Sequence, residues 1–268
     1  NPIFYSTAGC APPDPSCTPT APQLETTMLG IVIPAHNEEA CLSTCLAALH
    51  IAASHPALQA EPVLIHVVLD DCDDGSEDIL KRWQRSHGGT QVTLSYAHIE
   101  KRKVGAARAA GADRLLGEGV RWLAFTDADT VVSPEWLVQQ LALDVDVVCG
   151  SVAVDDWSAH AGHAAMLRTH FAATYNDRDG HRHIHGANLG VSAAAYTKAG
   201  GFESVPCHED VYLVAALERT GARFAWSAAP RVVTSARTDA RARDGFGDTI
   251  LRVVAAAAAV PVLDVAGT

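Results

Sequence analysis

The chain lacks most of the signatures that assign a class at a glance. Its seven cysteines form no Cys-x-x-Cys pair, so neither a zinc ribbon nor a thioredoxin-like redox centre is indicated. The longest apolar stretch near the C-terminus, Val253 to Leu263, is mostly alanine and contains Pro261. It falls well short of the roughly 20 residues that span a bilayer, and no integral membrane segment is expected. Positive charge is also short: 20 Lys and Arg stand against 31 Asp and Glu, a net charge of -11. A nucleic-acid partner is not expected, because phosphate neutralisation needs clustered basic residues. There is no G-x-G-x-x-G and no Walker sequence, which removes the usual glycine cradles for dinucleotides and nucleoside triphosphates. The opening Asn1-Pro2-Ile3 has no basic region leading into an apolar segment. With an odd number of cysteines, two of them (Cys41 and Cys45) a helical turn apart among apolar neighbours, the expectation is reduced thiols in a cytoplasmic protein.

What is present is enough for one core: 268 residues with 48% hydrophobic content suit a single α/β domain. Residues 1–27 hold six prolines among small polar residues and read as a disordered tail. From Leu29 onward short apolar runs alternate with helical patterns: strands near 29–33, 63–69, 91–96 and 122–125, helices near 38–53, 76–86 and 104–116. This βαβ rhythm predicts an open, Rossmann-type sheet flanked by helices, with ligands beyond the carboxyl ends of the strands. After residue 130 the rhythm changes. A helix is expected over 134–143, a strand over 147–154, a helix over 160–175, an extended segment over 183–192, and a loop from Asp239 leading to a terminal helix. The division is therefore a 28–130 half and a 131–268 half of one domain.

The most informative residues are Asp127-Ala128-Asp129, directly after the apolar run Trp122–Phe125. Residues two apart on an extended segment project to one side, so both carboxylates can reach one hard cation. A solvated acidic loop is the plain alternative. Pro34-Ala35-His36-Asn37-Glu38-Glu39 follows the first strand and opens a helix, where amides favour anionic or polar ligand groups or where Asn37 simply caps. Asp70-Asp71-Cys72-Asp73-Asp74-Gly75 is no EF-hand, since Cys72 and Lys81 stand where an oxygen ligand and a bidentate Glu are required. A carboxylate there can accept from a nucleobase while the others cap the next helix. Lys101 to Arg108 places positive charge at a helix start, against the helix dipole, so it needs another partner. A diphosphate or solvent would serve. His181, His183 and His185 alternate along one extended segment, which would suit Zn²⁺ if they converged. Glu209 and Asp210 read as residues that open a helix before Tyr212-Leu213-Val214.

Taken in order, Pro34–Glu39, Asp70-Asp71, Lys103-x-Gly-Ala-Ala-Arg108, Phe125-Thr-Asp127-Ala-Asp129, Ala199-Gly-Gly-Phe202 and His208-Glu-Asp-Val211 resemble the family 2 glycosyltransferases. The resemblance covers about residues 29–243. It implies a GT-A fold with an acceptor-side C-terminal lobe, and sugar transfer from a nucleotide diphosphate donor to an acceptor hydroxyl with inversion at the anomeric carbon. It also implies roles. Pro34, Ala35, His36 and Glu38 form the nucleoside loop, and Asp70 reads the base. Arg102 or Lys103 lies toward base or diphosphate. Asp127 faces the ribose beside the metal, and Asp129 is the main Mg²⁺ or Mn²⁺ ligand. Asp210, with Glu209 beside it, is the general base, and His185 and Asn188 border the acceptor. The family's occasional downstream histidine ligand has no counterpart, as no His follows His208. Arg237, Arg241 and Arg243 either meet donor phosphate in a closing C-terminal loop or form a solvated basic tail. Two other classes stay open: a catalytically silent nucleotide-binding protein on this fold, and a sugar nucleotidyltransferase, whose Gly-, Arg- and Lys-bearing first loop is replaced here by Pro34–Glu39.

Overall fold

A computed structural model describes residues 27–87, 91–239 and 245–258. The first strand explains the architecture. β1 (Leu29–Ala35) is buried along its whole length, and a strand that is apolar on both faces must lie inside a sheet covered on both sides. It pairs in parallel with β2 (Val63–Asp70) and β4 (Trp122–Phe125), and β2 pairs in parallel with β3 (Val92–Ile99). Beyond β4 the direction reverses. β7 (Leu189–Ser192) is antiparallel to both β4 and β6 (Val147–Ala153), β8 (Phe224–Thr234) runs parallel to β6, and β5 (Thr130–Val132) closes the far edge. One eight-stranded sheet of order β3-β2-β1-β4-β7-β6-β8-β5 results, so the expected halves on either side of residue 130 share a single sheet.

Alternation along β1 divides the core in two. Ile31 and Ile33 face a cluster with Leu42, Leu46 and Leu49 of α1 (Leu42–Ala53) and Trp136 of α4 (Trp136–Ala142). Val32 faces the other cluster, with Leu115 of α3 (Val104–Gly117), Tyr196 of α6 (Ala193–Ala199) and Leu213 of α7 (Glu209–Arg219). α2 (Ser76–Ser86) occupies the span its periodicity predicts.

Several expectations are corrected. α1 begins at Leu42 rather than near residue 38, because Asn37 takes a left-handed φ of 55° and the chain from 37 to 39 is tied to the next loop instead. The segment 160–175 is two pieces, a 3-10 turn Ser158–His163 and α5 (Ala164–Thr174), broken where Ala161 adopts φ 42°. The extended segment 183–192 is a strand only from Leu189. β5, β8 and α6 lie outside the sequence expectations. The terminal helix is α8 (Phe246–Ala258), and the proposed tail up to residue 26 lies outside the described residues.

α3 approaches the sheet closely at Gly111, where a Cβ would stand 2.5 Å from Val32 Cγ1 and 3.2 Å from Val68 Cγ2. Alanine is the better helix former by about 1 kcal/mol, yet here its methyl overpacks two sheet residues. Gly111→Ala is expected to lower unfolding free energy by about 1–3 kcal/mol, read as a lower denaturant midpoint. A raised midpoint would contradict this packing.

Candidate active site

The carboxyl ends of β1, β2 and β4 open on one cavity of about 920 Å³. Asp127, Asp129, Glu209 and Asp210 line it, as do Pro34–Glu38, Asp70, Arg102, Lys103, Arg108, His185 and Arg237. Side chains more than 100 positions apart in the chain therefore share one space.

The first two loops hold each other. Asn37 donates through Nδ2 to Asp73 Oδ1 at 2.6 Å and accepts the Asp73 amide at 2.9 Å. The Glu39 amide donates to Asp74 Oδ2 at 2.9 Å, the Gly75 amide to Glu39 Oε2 at 3.0 Å, and the Glu38 amide to Ser76 Oγ at 2.9 Å. The acidic loop is thus a reciprocal clasp: Asp73 and Asp74 fasten the first loop, and Asp74 Oδ1 also accepts the Ser76 amide.

Asp70, 4% exposed, accepts the amides of Lys101, Arg102 and Lys103 at 2.6–2.8 Å. Three of its roughly four acceptor directions are thereby used, so above all it shapes the basic loop. His36 lies against it: Nδ1 stands 2.7 Å from the Asp70 carbonyl oxygen. A carbonyl only accepts, so Nδ1 carries the proton and Nε2 accepts from Arg102 Nη2 at 3.1 Å. Arg102 also reaches Asp71 at 3.2 Å.

Two arginines organise the centre. Arg108, 4% exposed on α3, donates from Nη2 to Asp127 Oδ1 at 2.5 Å and from Nη1 to Glu209 Oε1. Burial alone would pull its pKa down, but the charges of Asp127 and Glu209 more than offset this and push it up. Burial likewise raises the Glu209 pKa, against the opposing pull of Arg108. Arg237, just past β8, donates to both oxygens of Glu38, at 2.8 and 3.1 Å, and to Asp129 Oδ2. Asp129 sits deep enough that burial raises its pKa to about 6, in spite of Arg237.

Asp210 opens α7, half-buried, with Oδ2 accepting the Gly186 amide at 2.9 Å and Oδ1 the Val211 amide at 2.9 Å. Gly186 must be glycine here, since a Cβ would run into the Arg108 guanidinium. The same residue therefore packs on the central arginine and orients the aspartate.

The remaining predicted positions separate. His185 lines the cavity, but its Nε2 accepts from Tyr175 Oη at 3.0 Å, and burial lowers its pKa to about 4, so the ring is neutral near pH 7. Asn188 corrects the expectation of an acceptor contact. It is 0% exposed, accepts from Trp136 Nε1 at 2.9 Å, and donates to the Ser151 and Pro230 carbonyls. It is a strut between strands and does not line the cavity. His181 is buried against Ser227 O at 3.3 Å, and the three histidines stack rather than converge. Among the described residues no group of three or more His, Cys, Asp or Glu side chains is placed so that it could hold a metal ion by itself. Arg241 and Arg243 lie outside the described residues. Sequence reasoning missed the pairing of Arg108, whose only signal was a positive charge on the dipole-disfavoured end of a helix.

The donor set nevertheless suits a hard divalent cation. Mg²⁺ is commonly held by one or two carboxylates together with substrate phosphates and water, and Asp129 already faces a cation in Arg237.

The family profile described as "Glycosyl transferase family 2" matches residues 30–199, more than half of the chain. The chain belongs to that family. Solved structures similar to it are glycosyltransferases of the GT-A fold. The mannosyltransferase PcManGT from Pyrobaculum calidifontis, in complex with GDP-Man and Mn²⁺, aligns at 18% identity and TM-score 0.56, over 80% of this chain and 58% of that one. S. aureus TarS, in complex with UDP, aligns at 13% and 0.55, over 78% and 60%. GalNAc-T7 with UDP, GalNAc and Mn²⁺ aligns at 14% and 0.53, over 79% and 44%. The chain thus spans about half the length of these relatives. No curated protein sequence matches it, and among the described residues no helix is long and apolar enough to cross a membrane.

Replacing Arg108 by Met would leave Asp127 and Glu209 facing each other without their counter-charge. The expected loss is about 3–5 kcal/mol of unfolding free energy, and the double change Arg108→Met with Glu209→Met should recover part of it. Chemical denaturation measures both, and an unchanged midpoint for Arg108→Met would contradict a buried bridge.

Proposed function

We propose that the chain is a metal-dependent inverting glycosyltransferase that moves a sugar from a nucleoside diphosphate donor to an acceptor hydroxyl. One observation carries this reading: the Asp127/Asp129 pair and Asp210, from separate segments, line one cavity. Membership in the family and the GT-A fold support it. So does the presence of nucleotides or nucleotide sugars, and in two cases Mn²⁺, in the similar structures.

In this reading the donor nucleoside rests on Pro34, Ala35, His36 and Glu38. Asp70 holds the loop of Arg102 and Lys103 in place and keeps one acceptor direction for the base. Asp129, with Asp127 beside it, holds Mg²⁺ or Mn²⁺; such an ion would neutralise charge gathering on the departing diphosphate. Arg237 pairs with Glu38 and Asp129. With those carboxylates otherwise engaged, a diphosphate becomes its anionic partner.

Asp210 takes the proton of the acceptor hydroxyl as its oxygen attacks the anomeric carbon. The C–O bond to diphosphate breaks on the opposite side, and inversion follows. The Gly186 and Val211 amides fix the Asp210 carboxylate where it lines the cavity. Glu209 differs in that its carboxylate faces Arg108, and it positions the start of α7 rather than receiving the proton.

Asp210→Asn should lower donor turnover by roughly 10²–10⁴-fold. Its stabilisation by a nucleoside diphosphate with Mn²⁺, read as a thermal shift, should match the parent protein. Ordinary turnover by this variant would remove Asp210 from its assigned role.

A further inference from the structure

The cavity has two chemically unlike ends. Every charged side chain that lines it belongs to the donor loops, the aspartate pair and its arginines, or the Glu209-Asp210 corner. The other end, between the 3-10 turn, α5 and α8, is built from Trp157, Leu167, Phe171, Tyr175, Phe246 and Ile250. Trp157 and Leu167 are 2% exposed and Ile250 is 4% exposed, whereas Phe171 and Phe246 are only half-buried and keep ring surface toward the opening.

These rings form a continuous wall that reaches the base. Phe246 meets Phe171 edge-on at 6.0 Å, Phe171 stacks on Tyr175 at 4.7 Å and 13°, and Tyr175 stacks on His183 at 4.2 Å and 10°. Tyr175 Oη donates to His185 Nε2, and the next residue, Gly186, binds Asp210. Polar groups on this side are largely engaged within the chain. Tyr175 Oη also accepts the Val152 amide at 2.9 Å, and His183 Nε2 accepts the Asn176 amide at 3.1 Å. Thr174 Oγ1 donates to the His170 carbonyl and Thr249 Oγ1 to the Gly245 carbonyl. The His170 side chain stands exposed at the rim.

Building on the reading of Asp210 as the residue that deprotonates an acceptor hydroxyl, we infer that the acceptor is an alcohol with an uncharged, apolar body. Its hydroxyl lies at Asp210 and its body lies along the Phe171–Tyr175 wall, between α5 and α8. A hexose acceptor would set several hydroxyls against apolar surface without partners, which is unfavourable. An alkyl or aryl body removes that surface from water and leaves a single polar group where the base is.

Calorimetric titration of the full chain with 1-octanol and with glucose tests this, alongside titration with nucleoside diphosphates and Mn²⁺. Octanol should bind at least tenfold more tightly than glucose. Phe171→Gln should weaken octanol at least tenfold and leave nucleoside diphosphate affinity unchanged. Val253→Gln, on the half-buried face of α8 that lines the cavity, gives the same readout without altering α5. Glucose binding as tightly as octanol, octanol binding no better than background, or unchanged octanol affinity in both variants would overturn the inference. Failure of every nucleoside diphosphate to bind would instead strike the donor reading, and the octanol arm would still decide whether the apolar seat exists.

Discussion

The guanidinium of Arg108 is the interaction on which the site depends. It reaches Asp127 at the end of β4 on one side and Glu209 at the start of α7 on the other, from a helix that packs over the sheet. Arg108 and Glu209 are buried and Asp127 is half-buried; burying charge is costly unless the groups satisfy one another, and removing one member strands the others. The bridge therefore forms only when α3, β4 and α7 are in place together. Gly186 joins it by packing on the guanidinium while its amide orients Asp210. Asp127 directly, and Asp210 through Gly186, are thus organised around one guanidinium.

Arg237 extends the same logic to the mouth of the cavity. Glu38, Asp129 and Arg237 balance one another, so acidic and basic groups at the mouth are matched within the chain. This suits a protein whose net charge is -11: the proposed diphosphate seat would be local, made of a few placed arginines and amides, and would need no basic surface.

Much of this was legible in the sequence where the signal was local. β1 and β2 are uninterrupted apolar runs, α2 carries a helical period, and the acidic pair after Phe125 marks a strand end. What escaped was long-range. Nothing near Arg108 or Arg237 announces partners 101 and 199 residues away. Asn188 looked like an acceptor contact from its neighbours, yet its amide answers an indole and two carbonyls across the sheet. β8 mixes Ala, Ser and Pro230 with only short apolar stretches, so its strand character comes from pairing with β6 and β5 rather than from its own pattern. The aspartates of the second loop read as caps for the next helix, as Asp74 is for Ser76, but composition does not reveal that Asn37 and the Glu39 amide also claim Asp73 and Asp74.

A single displacement at the anomeric carbon is the central claim, and water can serve as the acceptor in a test that requires no other. Proton NMR of the sugar first released from an α-linked nucleoside diphosphate donor, recorded before mutarotation, reads the outcome. The proposed in-line attack with Asp210 as base predicts the β-anomer; release of the α-anomer would contradict it.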